Sequence, residues 1–253
     1  MSDDVTLPQE RRSRLLDMLA ADGRIVAADA AREFGVSEDS IRRDLRALAS
    51  EGLALRVHGG ALPAAPATPL SQRKPAPAAL VRALAGRISE ASGLVLLDAS
   101  VSVLAAAHLL EPHPTRTIAT SSPAVAAAAS ARGVRVLTIG GMVDPEVGAA
   151  LDVRAVDALR GMRADLVVLG ACALHAEHGI TADRAEEVPY KRALLAAAGE
   201  VVVPAALSKL GTVAPYPVAS ADAVATVLTD APSDDPHVVA LRNAGVTVDS
   251  QTD

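Results

Sequence analysis

A chain of 253 residues, half of it hydrophobic, can build a substantial core, as one large domain or as a small module followed by a medium one. One Phe, two Tyr and no Trp exclude an aromatic stacking platform for single-stranded nucleic acid, and a formal net charge of -6 excludes a globally basic nucleic-acid binder, so any DNA affinity must come from a local patch. A lone cysteine, Cys172, forbids an intramolecular disulfide; with a polar N-terminus and no apolar run of about twenty residues, the chain reads as cytoplasmic, with no membrane partner.

In chain order, residues 9–20 form a first helix with Leu15, Leu16 and Leu19 on one face, ended by Asp22-Gly23. A second helix covers 28–34 and stops at Gly35. Ser37 has the chemistry to N-cap a third, because its hydroxyl can accept an orphan amide while Glu38 and Asp39 complement the helix dipole. This helix runs to Ser50. Residues 53–58 then alternate in polarity, and Gly59-Gly60 supplies a turn, which reads as a wing. Residues 62–77 hold five prolines and suit a stiff connector. The chain therefore divides into a winged helix-turn-helix over 1–62, a Pro-rich linker over 63–77 and an α/β domain over 78–253.

Beyond the linker, short β-branched runs at 94–98, 117–120, 134–138, 166–170, 201–203 and 224–229 alternate with Ala- and Leu-rich stretches at 101–110, 123–131, 153–162 and 186–198. Such alternation predicts βαβ units: a Rossmann-like α/β domain with a mostly parallel sheet and helices on both faces.

Within the third helix, Ile41, Leu45 and Leu48 recur at spacings of four and three and form one buried stripe. At about 100° per residue, Arg43 and Arg46 point to the opposite side and Arg42 to a flank. A helix-turn-helix needs this arrangement, because its apolar side packs on the preceding helices while guanidinium groups reach phosphates and guanine edges in the major groove. Arg56 and His58 on the wing add a second contact. Taken alone, the helix is equally well an amphipathic helix with a solvated charged face.

The ordered run from Phe34 to Ala61, containing Ser37-Glu38-Asp39-Ser40-Ile41-Arg42-Arg43-Asp44-Leu45 and Arg56-Val57-His58-Gly59-Gly60-Ala61, closely resembles the N-terminal signature of the DeoR family of transcriptional regulators. The resemblance implies that Ser37, Ser40, Arg42 and Arg43 contact DNA while Asp44 pairs within the protein. Glu38 and Asp39 stand at variable positions of the signature, where they cap the helix or Asp39 accepts from a cytosine amino group. The function implied is that of a DNA-binding regulator, a repressor, on double-stranded operator DNA. One short recognition helix covers only a half-site, so a homo-oligomer, at least a dimer, is expected.

Residues 88–230 resemble the family's sensor half, which is similar to the ribose-5-phosphate isomerase type of fold and binds sugar phosphates or related metabolites. The motifs are Asp98 followed by Ser100 and Ser102, then Thr120-Ser121-Ser122, Gly140-Gly141, Gly170, His178-Gly179 and Ser208-Lys209. Each falls at a predicted strand end or helix start, where ligands of open α/β sheets bind. The phosphate is expected against Ser100, Ser102, Ser121 and Ser122, with Lys209, or alternatively Lys191, as counter-charge and Asp98 accepting from sugar hydroxyls. The sequence departs from the family at Val101, where a hydroxyl is usual, and at Ala206, where an acid is usual.

His175 and His178 lack further ligands near them in sequence, so no metal is expected, nor any cofactor or catalytic residue. Two alternatives stand beside the regulator: a sugar-phosphate isomerase-like enzyme with an appended helical module, using Asp98 with Lys191 or Lys209, and a regulator whose sensor is degenerate.

Overall fold

The computed structural model describes residues 7–65, 72–74 and 76–251. The polar N-terminus up to Thr6, part of the predicted Pro-rich linker (66–71 and 75) and the last two residues lie outside the described residues.

The N-terminal unit consists of α1 (Pro8–Asp22), β1 (Ile25–Val26), α2 (Ala27–Phe34), α3 (Glu38–Ser50), β2 (Ala54–Val57) and β3 (Gly60–Pro63). Pro8 sits in the first turn of α1, where its missing N–H costs nothing. The Ser37 side chain accepts the Ser40 amide at 3.2 Å and caps α3, an arrangement worth about 1 kcal/mol. Leu15, Leu19, Ala30, Ile41, Leu45 and Leu48 close one small core. The wing is a three-stranded sheet of order β1-β3-β2, whose two-residue first strand the periodicity does not reveal. Gly60 is required there: a Cβ at this position would lie 1.7 Å from the Ile25 carbonyl oxygen.

The larger unit follows as α4 (Ala78–Glu90), β4 (Leu94–Leu97), α5 (Val101–Ala107), β5 (Thr117–Thr120), α6 (Pro123–Ala131), β6 (Val136–Thr138), β7 (Val143–Asp144), β8 (Ala149–Ala150), α7 (Val153–Arg160), β9 (Leu166–Val168), β10 (Ala173–His175), β11 (Gly179–Ala182), α8 (Glu187–Ala197), β12 (Val201–Pro204), β13 (Tyr216–Ala219), β14 (Thr226–Thr229), α9 (Pro236–Asn243) and β15 (Thr247–Ser250). Seven strands form one parallel sheet of order β15-β14-β12-β9-β4-β5-β6. Successive strand residues serve opposite cores, as the pleat dictates. Val95, Leu97, Leu166, Val168 and Val202 pack with Leu84 of α4, Val103 of α5 and Val125 of α6. Leu96, Val167, Val201 and Val203 face the other way, toward Leu159 of α7, Tyr190 and Leu194 of α8, and Leu241 of α9.

The chain winds outward from β4 in both directions, through β5 and β6 on one side and through β9, β12, β14 and β15 on the other. The switch point of the sheet therefore lies between β4 and β9, and the crevice above their carboxyl ends is where this architecture places ligands. A second, antiparallel sheet of order β10-β11-β13 is an addition that the alternation of helices and strands does not predict.

Candidate DNA-reading helix and sensor cavity

On α3 the buried residues are Ile41, Asp44, Leu45 and Leu48, and the opposite face carries the exposed Arg42, Arg43 and Arg46. Asp44 is turned inward and accepts a 2.6 Å ion pair from Arg11 Nε of α1, with both side chains less than a tenth exposed. Glu38 and Asp39 do more than cap the helix: Glu38 Oε2 lies 2.8 Å from Arg42 Nη2, and Asp39 Oδ2 lies 2.7 Å from Arg43 Nη2. These are i,i+4 pairs with the acid on the N-terminal side, the favourable orientation, and at this exposure each contributes only a few tenths of a kcal/mol. Ser37 and Ser40 hold their hydroxyls 3.0 Å apart at the start of the helix. Arg56 and His58 stand exposed on the wing. All seven candidate DNA contacts thus lie on the recognition helix or the wing.

At the switch point of the sheet the groups satisfy one another. Asp98, directly after β4, accepts from the Ala99 amide at 2.8 Å and, after β9, from the Gly170 amide at 3.0 Å. Lys191 of α8 reaches the same place, lying 3.1 Å from Asp98 Oδ2 and 3.2 Å from Glu187 Oε2, and donates to the Gly170 carbonyl. Both charged ends of the Lys191–Asp98 pair are almost fully buried. Burial opposes the Lys191 charge, yet Asp98 and Glu187 outweigh it and hold the ammonium above its ordinary pKa. Asp98 and Lys191, two of the candidate effector residues, bond to each other, since neither could be left buried without a counter-charge.

Three hydroxyls around this centre, those of Ser100, Thr120 and Ser121, also bond within the fold. Ser100 accepts the Val103 amide at 3.2 Å and caps α5; Thr120 accepts the Ser122 amide at 3.1 Å; Ser121 donates to the buried Tyr190 hydroxyl at 2.7 Å. Gly140-Gly141 follows β6, but Gly141 closes on α7, since a Cβ there would lie 2.5 Å from Asp152 Oδ1. His178-Gly179 forms the tip of the β10–β11 hairpin, where the His178 ring packs 4.8 Å from His175.

The open space lies beside this centre. A cavity of about 750 Å³ sits above the carboxyl ends of β4, β9, β12 and β14, lined by Ser102, Cys172, Asp183, Ser208, Lys209 and Asp230. Of the candidate effector residues only Ser102 and Lys209 border it. Val101 and Ala206, the two departures from the family pattern, also face it and make part of its wall apolar. Lys209 donates to the Ala171 carbonyl at 2.8 Å, and burial draws its pKa below the ordinary lysine value. Its remaining wall comes from Gln72, Arg73, Lys74, Ala76 and Pro77, residues that the sequence marks only as part of a proline-rich spacer.

Among the described residues, Cys172, Asp183 and Glu187 bring ligand-type atoms within 4.8 Å of one another. Their chemistry suits shared protons better than a metal ion. Burial pushes the Cys172 thiol up to about 11 and raises Glu187, and the Lys191 ammonium already supplies the positive charge.

Residues 11–65 match the family described as "DeoR-like helix-turn-helix domain", and residues 78–231 that described as "DeoR C terminal sensor domain". Over 249 residues the chain is 31% identical to the HTH-type transcriptional regulator GlpR of Haloferax volcanii, covering 96% of this chain and 97% of that protein. It is 28% identical over 229 residues to the glycerol-3-phosphate regulon repressor of Escherichia coli, covering 88% and 91%. To the HTH-type transcriptional repressor GlcR of Bacillus subtilis it is 27% identical over 239 residues, covering 88% of each. A solved ribose 5-phosphate isomerase from Plasmodium falciparum aligns with 53% of each chain at a TM-score of 0.36 and 10% identity. No helix among the described residues is long and apolar enough to cross a membrane.

Proposed function

The chain belongs to the DeoR family of DNA-binding transcriptional regulators, and on that premise we propose that it is a cytoplasmic repressor that releases its operator when a sugar phosphate or similar phosphorylated metabolite enters the cavity above the parallel sheet. The observation that carries this reading is the composition of the cavity. Lys209, Arg73 and Lys74 supply cations, while Ser102 and Ser208 supply hydroxyls. Asp183 and Asp230, the acids in its wall, already accept from Cys172 Sγ at 3.3 Å and from the Leu207 amide at 2.7 Å. A phosphorylated headgroup suits this gathering of cations and hydroxyl donors. Val101, Ala206 and Pro77 give the cavity an apolar side, which favours an effector with a short carbon skeleton over one hydroxylated all round.

The division of labour follows the two units: residues 1–62 read DNA through Ser37, Ser40, Arg42, Arg43, Arg46, Arg56 and His58, residues 63–77 connect, and residues 78–253 sense and assemble. The recognition helix reads one half-site, so operator binding takes at least a dimer. The reading is tested by selecting an operator from random duplex DNA and measuring its release by fluorescence anisotropy against a panel of phosphorylated metabolites. Release by at least one member, without its consumption, is expected; turnover, or indifference to every member, overturns it.

A further inference from the structure

Directly after β3, the central strand of the wing, the chain runs beside the sensor. Ala64 forms a parallel bridge with Val213, whose amide donates to the Pro63 carbonyl at 3.0 Å and whose carbonyl accepts the Ala65 amide at 3.1 Å. Val213 is buried, and the adjacent Ala214 amide donates to Thr181 Oγ1 of β11 at 2.8 Å. The DNA-reading unit is therefore docked on the sensor by the continuation of its wing strand. The same short segment of the sensor begins in the effector cavity. A 3-10 turn at Leu207–Lys209 presents Ser208 and Lys209 to that space, where the Lys209 ammonium donates to the Ala171 carbonyl at 2.8 Å. Between the two ends, Thr212 Oγ1 donates to the Lys209 carbonyl and the Gly211 amide to the Leu174 carbonyl, both at 2.9 Å. Gly211 stands at a φ of +71°, and a Cβ there would lie 2.2 Å from Cε1 of the His237 ring. Glycine is required at this point of the segment.

We propose that residues 208–213 are the coupling element of the regulator: an effector that captures Lys209 shifts this segment and loosens the Val213 dock, and the operator is released because the DNA-reading unit loses its fixed placement. This rests on the effector reading above. A phosphate is a stronger acceptor for an ammonium than the neutral Ala171 carbonyl, since both partners then carry charge. Lys209 therefore exchanges the carbonyl for the phosphate when the cavity fills. The exchange pulls on a turn only four residues from Val213, and the Thr212 hydroxyl ties the two ends of that stretch together. Linkage requires such a differential contact, because a ligand shifts an equilibrium only as far as it prefers one state. Two backbone hydrogen bonds at their ordinary net worth correspond to about five- to 150-fold in an equilibrium, the range of typical allosteric couplings.

The test uses the full-length protein as wild type, as the double variant Ala64→Cys with Val213→Cys, and as Ala65→Pro, on an operator selected from random duplex DNA. Paired residues of neighbouring strands lie within reach of a disulfide, so mild oxidation should join the two introduced thiols and lock the dock. Cys172, with its thiol pushed up to about 11 by burial, stays out of this chemistry. Inorganic phosphate, glycerol 3-phosphate and glucose 6-phosphate serve as probes, with binding read by calorimetry and operator release by anisotropy. The oxidised double variant is expected to hold the operator as wild type does and to keep it in the presence of a probe that releases wild type. It should bind that probe about five- to 150-fold more weakly, because linkage is reciprocal, and a reductant should restore both properties. Ala65→Pro suits an extended segment and removes one donor of the dock, so it should weaken operator binding roughly two- to tenfold before any probe is added. If the thiols do not join, if the oxidised variant releases the operator as wild type does, or if Ala65→Pro binds the operator unchanged, the proposal falls and the effector reading stands. If no probe releases wild type, both fall.

Discussion

Arg11 of α1 and Asp44 of the recognition helix meet through a buried 2.6 Å ion pair across 33 residues of sequence. An aspartate that follows two exposed arginines is thus a structural residue, which fixes α3 to α1. Replacing Asp44 with Ala withdraws the carboxylate from a buried guanidinium and should destabilise the protein by about 3–5 kcal/mol. Urea unfolding measures this; a loss below about 1 kcal/mol would show that the helix is oriented by its apolar stripe alone.

The neighbouring arginines should behave in the opposite way. Arg42 and Arg43 are at least half exposed and, among the described residues, paired to Glu38 and Asp39, so replacing both with Ala should change stability by less than about 1 kcal/mol while abolishing operator binding. Anisotropy with operator and with random duplex, beside urea unfolding, separates the two effects. A folded double variant that still binds its operator would remove α3 as the reading element.

Glu38 and Asp39 hold those arginines before DNA arrives, and a phosphate must compete with them for the guanidinium groups. Exchanging them for Gln and Asn should raise affinity for random duplex, reduce discrimination in favour of the operator and steepen the dependence on salt, because more arginine charge becomes available to release counterions. Binding at two salt concentrations checks this. An unchanged operator-to-random ratio would confine the two acids to capping.

At the sheet's switch point, Lys191→Met leaves Asp98 and Glu187 buried without their shared cation and should cost about 3–5 kcal/mol. The sign of the pH effect follows from the direction of the shift. The folded pKa of Lys191 lies above the ordinary 10.5, so its contribution is complete below 10.5 and fades as pH climbs from there through the folded value. Wild type should therefore lose stability in that alkaline window more steeply than Lys191→Met, as read by denaturation at a series of pH values; equal slopes would mean that the pair does not form.

Lys209 presents the reverse case. Burial lowers its pKa below 10.5, so it begins to lose its proton at a pH where an ordinary lysine keeps it. An anion binds only the charged form, so effector affinity should decline as pH rises toward that lowered value, with proton uptake on binding. Lys209→Arg, which stays charged throughout, should flatten the profile. Calorimetry in buffers of different ionisation enthalpy detects the proton; identical profiles for the two proteins would place the titrating group elsewhere.

Local chemistry made much of this molecule legible. The Ile41, Leu45 and Leu48 stripe, the Ser37 cap and the arginines opposite them follow from a period of 3.6 residues, and the parallel sheet follows from short β-branched runs between helical ones, because each pattern is set by neighbours within a few residues. Helices α4 and α9 and the edge strand β15 escaped that reading, as did β10, β11 and β13. The last three are strands of three or four residues, and β11 finds β13 only after the intervening α8 and β12.

By itself, the sequence determined which residues carry charge and hydroxyls and on which elements they ride, and so the family, the reading helix and the kind of sheet. Tertiary structure alone decided which of those groups remain available to a ligand. Asp98 and Lys191 lie 93 residues apart, and only the fold shows that they neutralise each other, because burial forces opposite charges to pair wherever the chain brings them together. The connector is the converse case. Its prolines announced a spacer, but the placement of Arg73 and Lys74 in the wall of the cavity that Lys209 also lines arises from contacts between residues more than a hundred positions apart, which no local pattern encodes.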